Sequence, residues 1–155
     1  MATPAQPLPA LDLSKLIVPH GFVLSFVARA QGVQIYPWNA ATQTFQKAHP
    51  EALLVSDGRM IHHFAGPTWQ AVDGSNVVGS LVQSATPDPN SIPWLLLSTK
   101  PGGAPDGLMS KVQFIQRLYT KGGKAPAMNP TGAPEVSVFY KAEYYFYQPY
   151  GGKNK

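Results

Sequence analysis

Apolar residues recur at every second position along much of this chain, the period of a strand with one buried face. In residues 22–30, Phe22, Leu24, Phe26 and Ala28 share one face, and Val23, Ser25, Val27 and Arg29 share the other. Gln31-Gly32 interrupts the run and residues 33–36 resume it. That pattern predicts either a hairpin or one long strand with a bulge at Gly32, with Pro37 ending the pairing. Residues 51–55 and 59–64 flank Ser56-Asp57-Gly58, while 68–72 and 75–84 flank Asp73-Gly74. An Asp-Gly pair between alternating runs is a strong hairpin signal. Residues 92–97 form a continuous apolar run of strand length, predicted to be covered on both faces, with Pro93 near its start.

Residues 108–120 alternate as well, with Val112, Phe114, Gln116 and Leu118 set against Lys111, Gln113, Ile115, Arg117 and Tyr119. A 3.6 period also fits part of this stretch, but its β-branched and aromatic content favours a strand. Residues 135–148 give the last strand. Tyr140, Ala142, Tyr144 and Phe146 lie on one face, and Phe139, Lys141, Glu143, Tyr145 and Tyr147 on the other. The expected architecture is a single all-β domain over 22–148, an antiparallel β-barrel or β-sandwich with Pro/Gly-rich loops. An extended Pro-rich arm precedes it at 1–21, where Leu16 is among the residues available to pin it, and a flexible tail follows at 149–155.

Composition sharpens this picture. Sixteen prolines and fourteen glycines in 155 residues leave no room for long helices, while a hydrophobic share of 44% is too high for disorder. Twelve Lys and Arg against eight Asp and Glu give a net charge of +4. Lys111, Arg117 and Lys121 share a parity and read as one solvated strand face, so no nucleic-acid partner is expected. The chain has no cysteine, which excludes disulfides and thiolate chemistry. No apolar run is long enough to span a membrane as a helix, and the first residues do not read as a signal peptide.

The densest cluster of chemically capable side chains is residues 62–79. His62 and His63 are consecutive, so on a strand they face opposite ways and form no same-face metal pair. A metal would have to recruit His20 or His49; no metal and no cofactor are expected. His63 with Asp73 is the best catalytic pairing: a carboxylate could orient the imidazole as a general base. The hydroxyl would come from Ser75, or else from Thr68 or Tyr144. Against this, aspartate at 73 and serine at 75 are what an Asp-Gly turn wants for its own hydrogen bonds. A binding surface is the other reading. Trp69 at a rim, with Thr68, Tyr145 and Tyr147, offers rings to a small-molecule or carbohydrate ligand.

Several motifs together resemble a known family: GVQIY at 32–36, HFAGPTW at 63–69 followed by DGS at 73–75, IPWLLL at 92–97, IQRLYTKGGKAP at 115–126 and EYYFY at 143–147. The chain is similar to an uncharacterised family of small, mostly secreted bacterial and fungal proteins, some fungal members of which carry an automatic malate dehydrogenase label. The resemblance implies a secreted or periplasmic β domain with no assigned activity; nothing in the residues rules out a cytoplasmic setting. The dehydrogenase label finds no support, because no Gly-x-Gly-x-x-Gly follows a strand and no βαβ pattern is present. Family members commonly carry cysteines where this chain has the neighbourhoods of Trp38 and Asn129; the resemblance implies a disulfide there that this chain lacks, leaving the 121–134 loop to be held by packing.

Two functions follow. The favoured one is a non-enzymatic, extracytoplasmic β domain that binds a ligand or polymer, or assembles as a homo-oligomer, through exposed aromatics. The alternative is a small hydrolase or isomerase built on His63, Asp73 and a nearby hydroxyl.

Overall fold

A computed structural model of the chain describes residues 13–129 and 131–151. The arm expected at 1–21 and the tail expected at 149–155 therefore lie partly outside the described residues. A short 3-10 turn, Leu13–Leu16, leads into nine strands: β1 Phe22–Asn39, β2 Thr44–Phe45, β3 His49–Ser56, β4 Arg59–Phe64, β5 Thr68–Ala71, β6 Asn76–Ala85, β7 Trp94–Gly102, β8 Phe114–Gly122 and β9 Glu135–Pro149. All pairings are antiparallel, and β3 to β9 follow one another in chain order around the sheet. β1 pairs with β3 on one side and with β9 on the other, which closes the ring into a barrel. β2 is a two-residue flap on the end of β1.

Closure forces alternation: every second residue points into the barrel. On β1 these are Ala28, Ala30, Gly32, Gln34 and Tyr36, small in the middle and polar toward one end. Gly32 sits opposite Ala52 of β3 and Tyr140 of β9. It marks no bulge. It is the point where β1 and β3 press together: an added Cβ would run into the Glu51 carbonyl oxygen and the Ala52 backbone. β1 is one long strand whose only register shift falls between Leu24 and Phe26, and Pro37 does not end its pairing. Pro37 is tolerated because it lies beyond the β3 ladder, opposite Glu135 near the strand end.

The two ends of the barrel differ. One end carries the β3–β4 turn, the β5–β6 turn and the β7–β8 connection, from which Met109 and Val112 insert into the core as a plug. This is why residues 108–113, predicted as strand, are instead a folded connection, with β8 beginning at Phe114. The other end carries the segments around residues 40–48, 65–67, 86–93 and 123–134 and is open. The 123–134 segment is held there by hydrogen bonds from Tyr36 Oη to Gly123 O, from Trp38 N to Pro134 O and from Lys124 Nζ to Pro89 O. Trp38 and Asn129 line one small cavity beside β2.

The 92–97 run is covered on both faces. Leu95 and Leu97 face the barrel core, while Trp94 and Leu96 face outward and are covered by Leu16 and Val18. Leu16 is buried and its carbonyl accepts a hydrogen bond from Gln116 Nε2. The adjoining Ile17 is exposed.

Candidate ligand site in the open end of the barrel

A cavity of about 790 Å³ fills the open end, within the few hundred to a thousand Å³ typical of small-molecule sites. Its walls come from most of the ring. β1 contributes Gln34 and Tyr36, β4 His63, β5 Trp69, β7 Leu95 and Leu97, β8 Arg117 and β9 Tyr144. Gly79 on β6 leaves room for the indole: a Cβ there would come within 2.9 Å of Trp69 Cζ3.

Trp69 lies not at a rim but in the interior, at 1% exposure. Period two decides this, since Trp69 pairs with His63 and shares the inward face of β5 with Ala71. The His63 ring stacks on it with centroids 4.3 Å apart, and Tyr144 meets both rings edge-on from across the barrel. The indole Nε1–H has no hydrogen-bond partner; among the described residues no other buried side-chain nitrogen or oxygen is so placed.

His63 Nδ1 lies 2.9 Å from the Thr68 carbonyl, which can only accept. Nδ1 therefore carries the proton, and Nε2 presents a lone pair. Burial pushes the imidazole down to about 3, with Arg117 and the neighbouring His62 acting in the same direction against the Thr68 carbonyl. The ring is neutral at ordinary pH. His62 faces outward, as the parity required, and pairs with Glu51 at 2.9 Å.

Asp73 is elsewhere. His63 sits opposite Trp69 near the open end, whereas the chain runs on past Ala71 to reach Asp73 at the plugged end. Of the four residues after Trp69, Gln70 and Ala71 continue the strand, and Val72 and Asp73 belong to the turn that follows it at the plugged end. Asp73 Oδ1 accepts from Ser75 N and from Ser75 Oγ at 2.6 Å, and Oδ2 accepts from Leu108 N at 2.8 Å. Ser75 Oγ in turn accepts from Met109 N. These bonds, the one from Ser75 Oγ foremost, hold the Asp73 carboxyl below its ordinary range. Asp73 and Ser75 latch the plug to the β5–β6 turn and do not meet His63. The structure thus brings His63 and Trp69 together and sets Asp73 and Ser75 apart from them.

The remaining sequence candidates are also committed. Thr68 Oγ1 donates to Ala65 O within the β4–β5 turn. Tyr144 and Tyr140 share a hydroxyl–hydroxyl hydrogen bond of 3.0 Å. Tyr145 and Tyr147 lie on the outer face of β9, with their hydroxyls donating to Glu143 and Gln116. Burial, and then the Glu143 carboxylate, push Tyr145 up to about 12. His49 lines the cavity with His63, but among the described residues no three His, Asp or Glu side chains gather as a metal would need.

Arg117 is the site residue that the sequence reading missed. It points into the barrel beside Ile115, not onto a solvated face with Lys111 and Lys121. Lys111 lies in the plug connection, and an irregularity between Leu118 and Lys121, where Tyr119 takes a positive φ of 53°, breaks the parity. The available signal was Ile115 itself: an arginine two residues along an apolar face points inward.

A family model described as "Protein of unknown function (DUF3455)" matches residues 54–148. The chain belongs to this family. The DUF3455 match begins in β3 and runs into β9, so it takes in His63, Trp69, Arg117 and Tyr144, while Gln34 and Tyr36 on β1 lie before it. No curated protein and no solved structure matches the chain. Within the described residues, no helix is long and apolar enough to cross a membrane.

Proposed function

We propose that this chain is a non-enzymatic small-molecule-binding barrel that takes its ligand in the cavity at the open end. The observation that carries this reading is the composition of the cavity wall. Trp69, Tyr144, Leu95 and Leu97 form an apolar body, and a few polar groups (Gln34, His63, Arg117) converge on it from different strands. That is the usual make-up of a site that binds by burial and orients by a few hydrogen bonds. The ligand reaches Trp69 inside the barrel, not Tyr145 and Tyr147 on its outer face. The extracytoplasmic setting implied by the sequence resemblance belongs to the same reading.

The hydrolase alternative has less support. His63 has a backbone carbonyl where a general base would have an orienting carboxylate, and the Tyr144 hydroxyl is bonded to Tyr140. An imidazole with a value near 3 is also a weak base.

N-phenyl-1-naphthylamine, a neutral apolar dye, tests the binding reading. Saturable uptake of one dye per chain is expected, with energy transfer from Trp69 that Trp69→Phe reduces while Trp38 and Trp94 remain. A linear, unsaturable rise in emission, or equal transfer in both proteins, would contradict it.

A further inference from the structure

The cavity carries a charge that no carboxylate among the described residues pairs with. Arg117 is held between Leu95 of β7 and Tyr144 of β9, and its guanidinium donates through Nε and Nη2 to one acceptor, Pro93 O, at 3.1 and 2.9 Å. A guanidinium has five N–H donors in a planar fork, so this leaves most of its capacity for oxygen acceptors open. The contact between His62 and Glu51, an ion pair only when the imidazole is protonated, is the only salt bridge among the described residues, and it lies on the outer face. The residues that line the cavity include Lys47, His49, His63 and Arg117 but no aspartate or glutamate. Arg117 is half-buried, so its charge is partly withdrawn from bulk water, and no carboxylate partner offsets that cost. Its field reaches the rest of the wall, since Arg117 lowers the proton affinity of both His63 and Tyr36.

We infer that the ligand is an organic anion, a carboxylate or similar oxyanion on an apolar body, with Arg117 as the group that fixes its charged end. This rests on the cavity being the binding site and goes beyond that reading by naming the ligand's chemistry. A cationic ligand would meet Arg117 and Lys47 with no acid to offset them. A neutral sugar would find, apart from Gln34, no carboxamide or carboxylate among the lining side chains. The apolar body of the ligand would lie along Trp69, Leu95 and Leu97.

Two matched pairs of probes test this by isothermal titration: dodecanoate against dodecanol, and 1-naphthoate against 1-naphthalenemethanol. In each pair the acid and the alcohol share a body, so their affinity ratio reports the anion site without any mutation. At least one acid is expected to bind about tenfold or more tightly than its alcohol, the scale of a hydrogen bond to a charged group. Arg117→Gln, which keeps a donor for Pro93 O, is expected to bring that ratio to about threefold or less, and Arg117→Lys to retain part of it. The His62→Gln variant, changed on the outer face, should keep the wild-type ratio. Equal affinities for acid and alcohol in the wild type would overturn the anion assignment while leaving the cavity reading intact. A preference that survives Arg117→Gln in a folded protein would overturn the role of Arg117. If neither member of either pair binds and the neutral dye fails as well, the cavity reading itself falls.

Discussion

Gly32→Val is expected to abolish the cooperative thermal unfolding transition, and Gly32→Ala to lower stability by at least about 3 kcal/mol, the upper end of ordinary overpacking. The reason lies in what the side chain would strike. Most inserted methyl groups meet other side chains, which can turn aside. At Gly32 the neighbours are the Glu51 carbonyl oxygen and the Ala52 Cα, both part of the β3 backbone. Relief requires β3 to move away from β1, and the β1–β3 ladder from Arg29–Val55 to Ile35–His49 runs through that point. β1 is also the strand that closes the ring against β9, so the damage reaches both its ladders. Total stability for a domain of this size is about 5–15 kcal/mol, which leaves little margin for the valine variant. Circular dichroism melts of the purified variants check this. A Gly32→Val protein that melts within a few degrees of wild type would mean that β1 and β3 are not in contact there.

Acidification is expected to destabilise the protein well above the pH at which carboxylates titrate, with His63 as the cause. Its folded value of about 3 lies below the roughly 6.5 of an exposed histidine. Between those limits the unfolded chain binds a proton that the folded chain refuses. Stability is therefore fully present above about pH 6.5 and falls as pH drops toward 3, with a slope approaching about 1.4 kcal/mol per unit. Two units below the midpoint the loss should reach roughly 2–3 kcal/mol. The depressed carboxyls of Asp73 and Asp88 act in the same sense but only below their ordinary range near 4, so the window from 6.5 to 4 isolates the imidazole. Urea unfolding across that window should show the slope in wild type and a flatter line in His63→Gln, whose amide can still donate to the Thr68 carbonyl. Parallel lines would remove His63 as the cause.

Much of the fold was legible because it depends on local chemistry. The Asp57-Gly58 turn forms with both residues at positive φ, as such a pair permits. The final strand keeps the predicted parity, with Tyr140, Ala142, Tyr144 and Phe146 inward. The 92–97 run needed two covered faces and has them. What failed depends on distances that sequence spacing does not carry. Gly32 resembled a bulge because a glycine that interrupts alternation and a glycine under a close backbone approach look the same in one dimension. His63 and Asp73, ten residues apart, resembled a pair. The intervening hairpin turns the chain back past His63 and then carries it on toward the far end of the barrel. Arg117 was misassigned by extending one strand parity from 111 to 121, through a connection and an irregularity that both interrupt it.

The most direct measurement is a two-dimensional nitrogen–proton NMR titration of labelled protein with N-phenyl-1-naphthylamine, following the indole N–H of each tryptophan and the backbone amides of β9. With the ligand site inside the open end of the barrel, the Trp69 indole signal and the Tyr144 amide should shift together and saturate at one dye per chain, while the outward-facing Trp94 stays in place. Shifts confined to the outer face around Tyr145 and Tyr147, with Trp69 unmoved, would contradict the account.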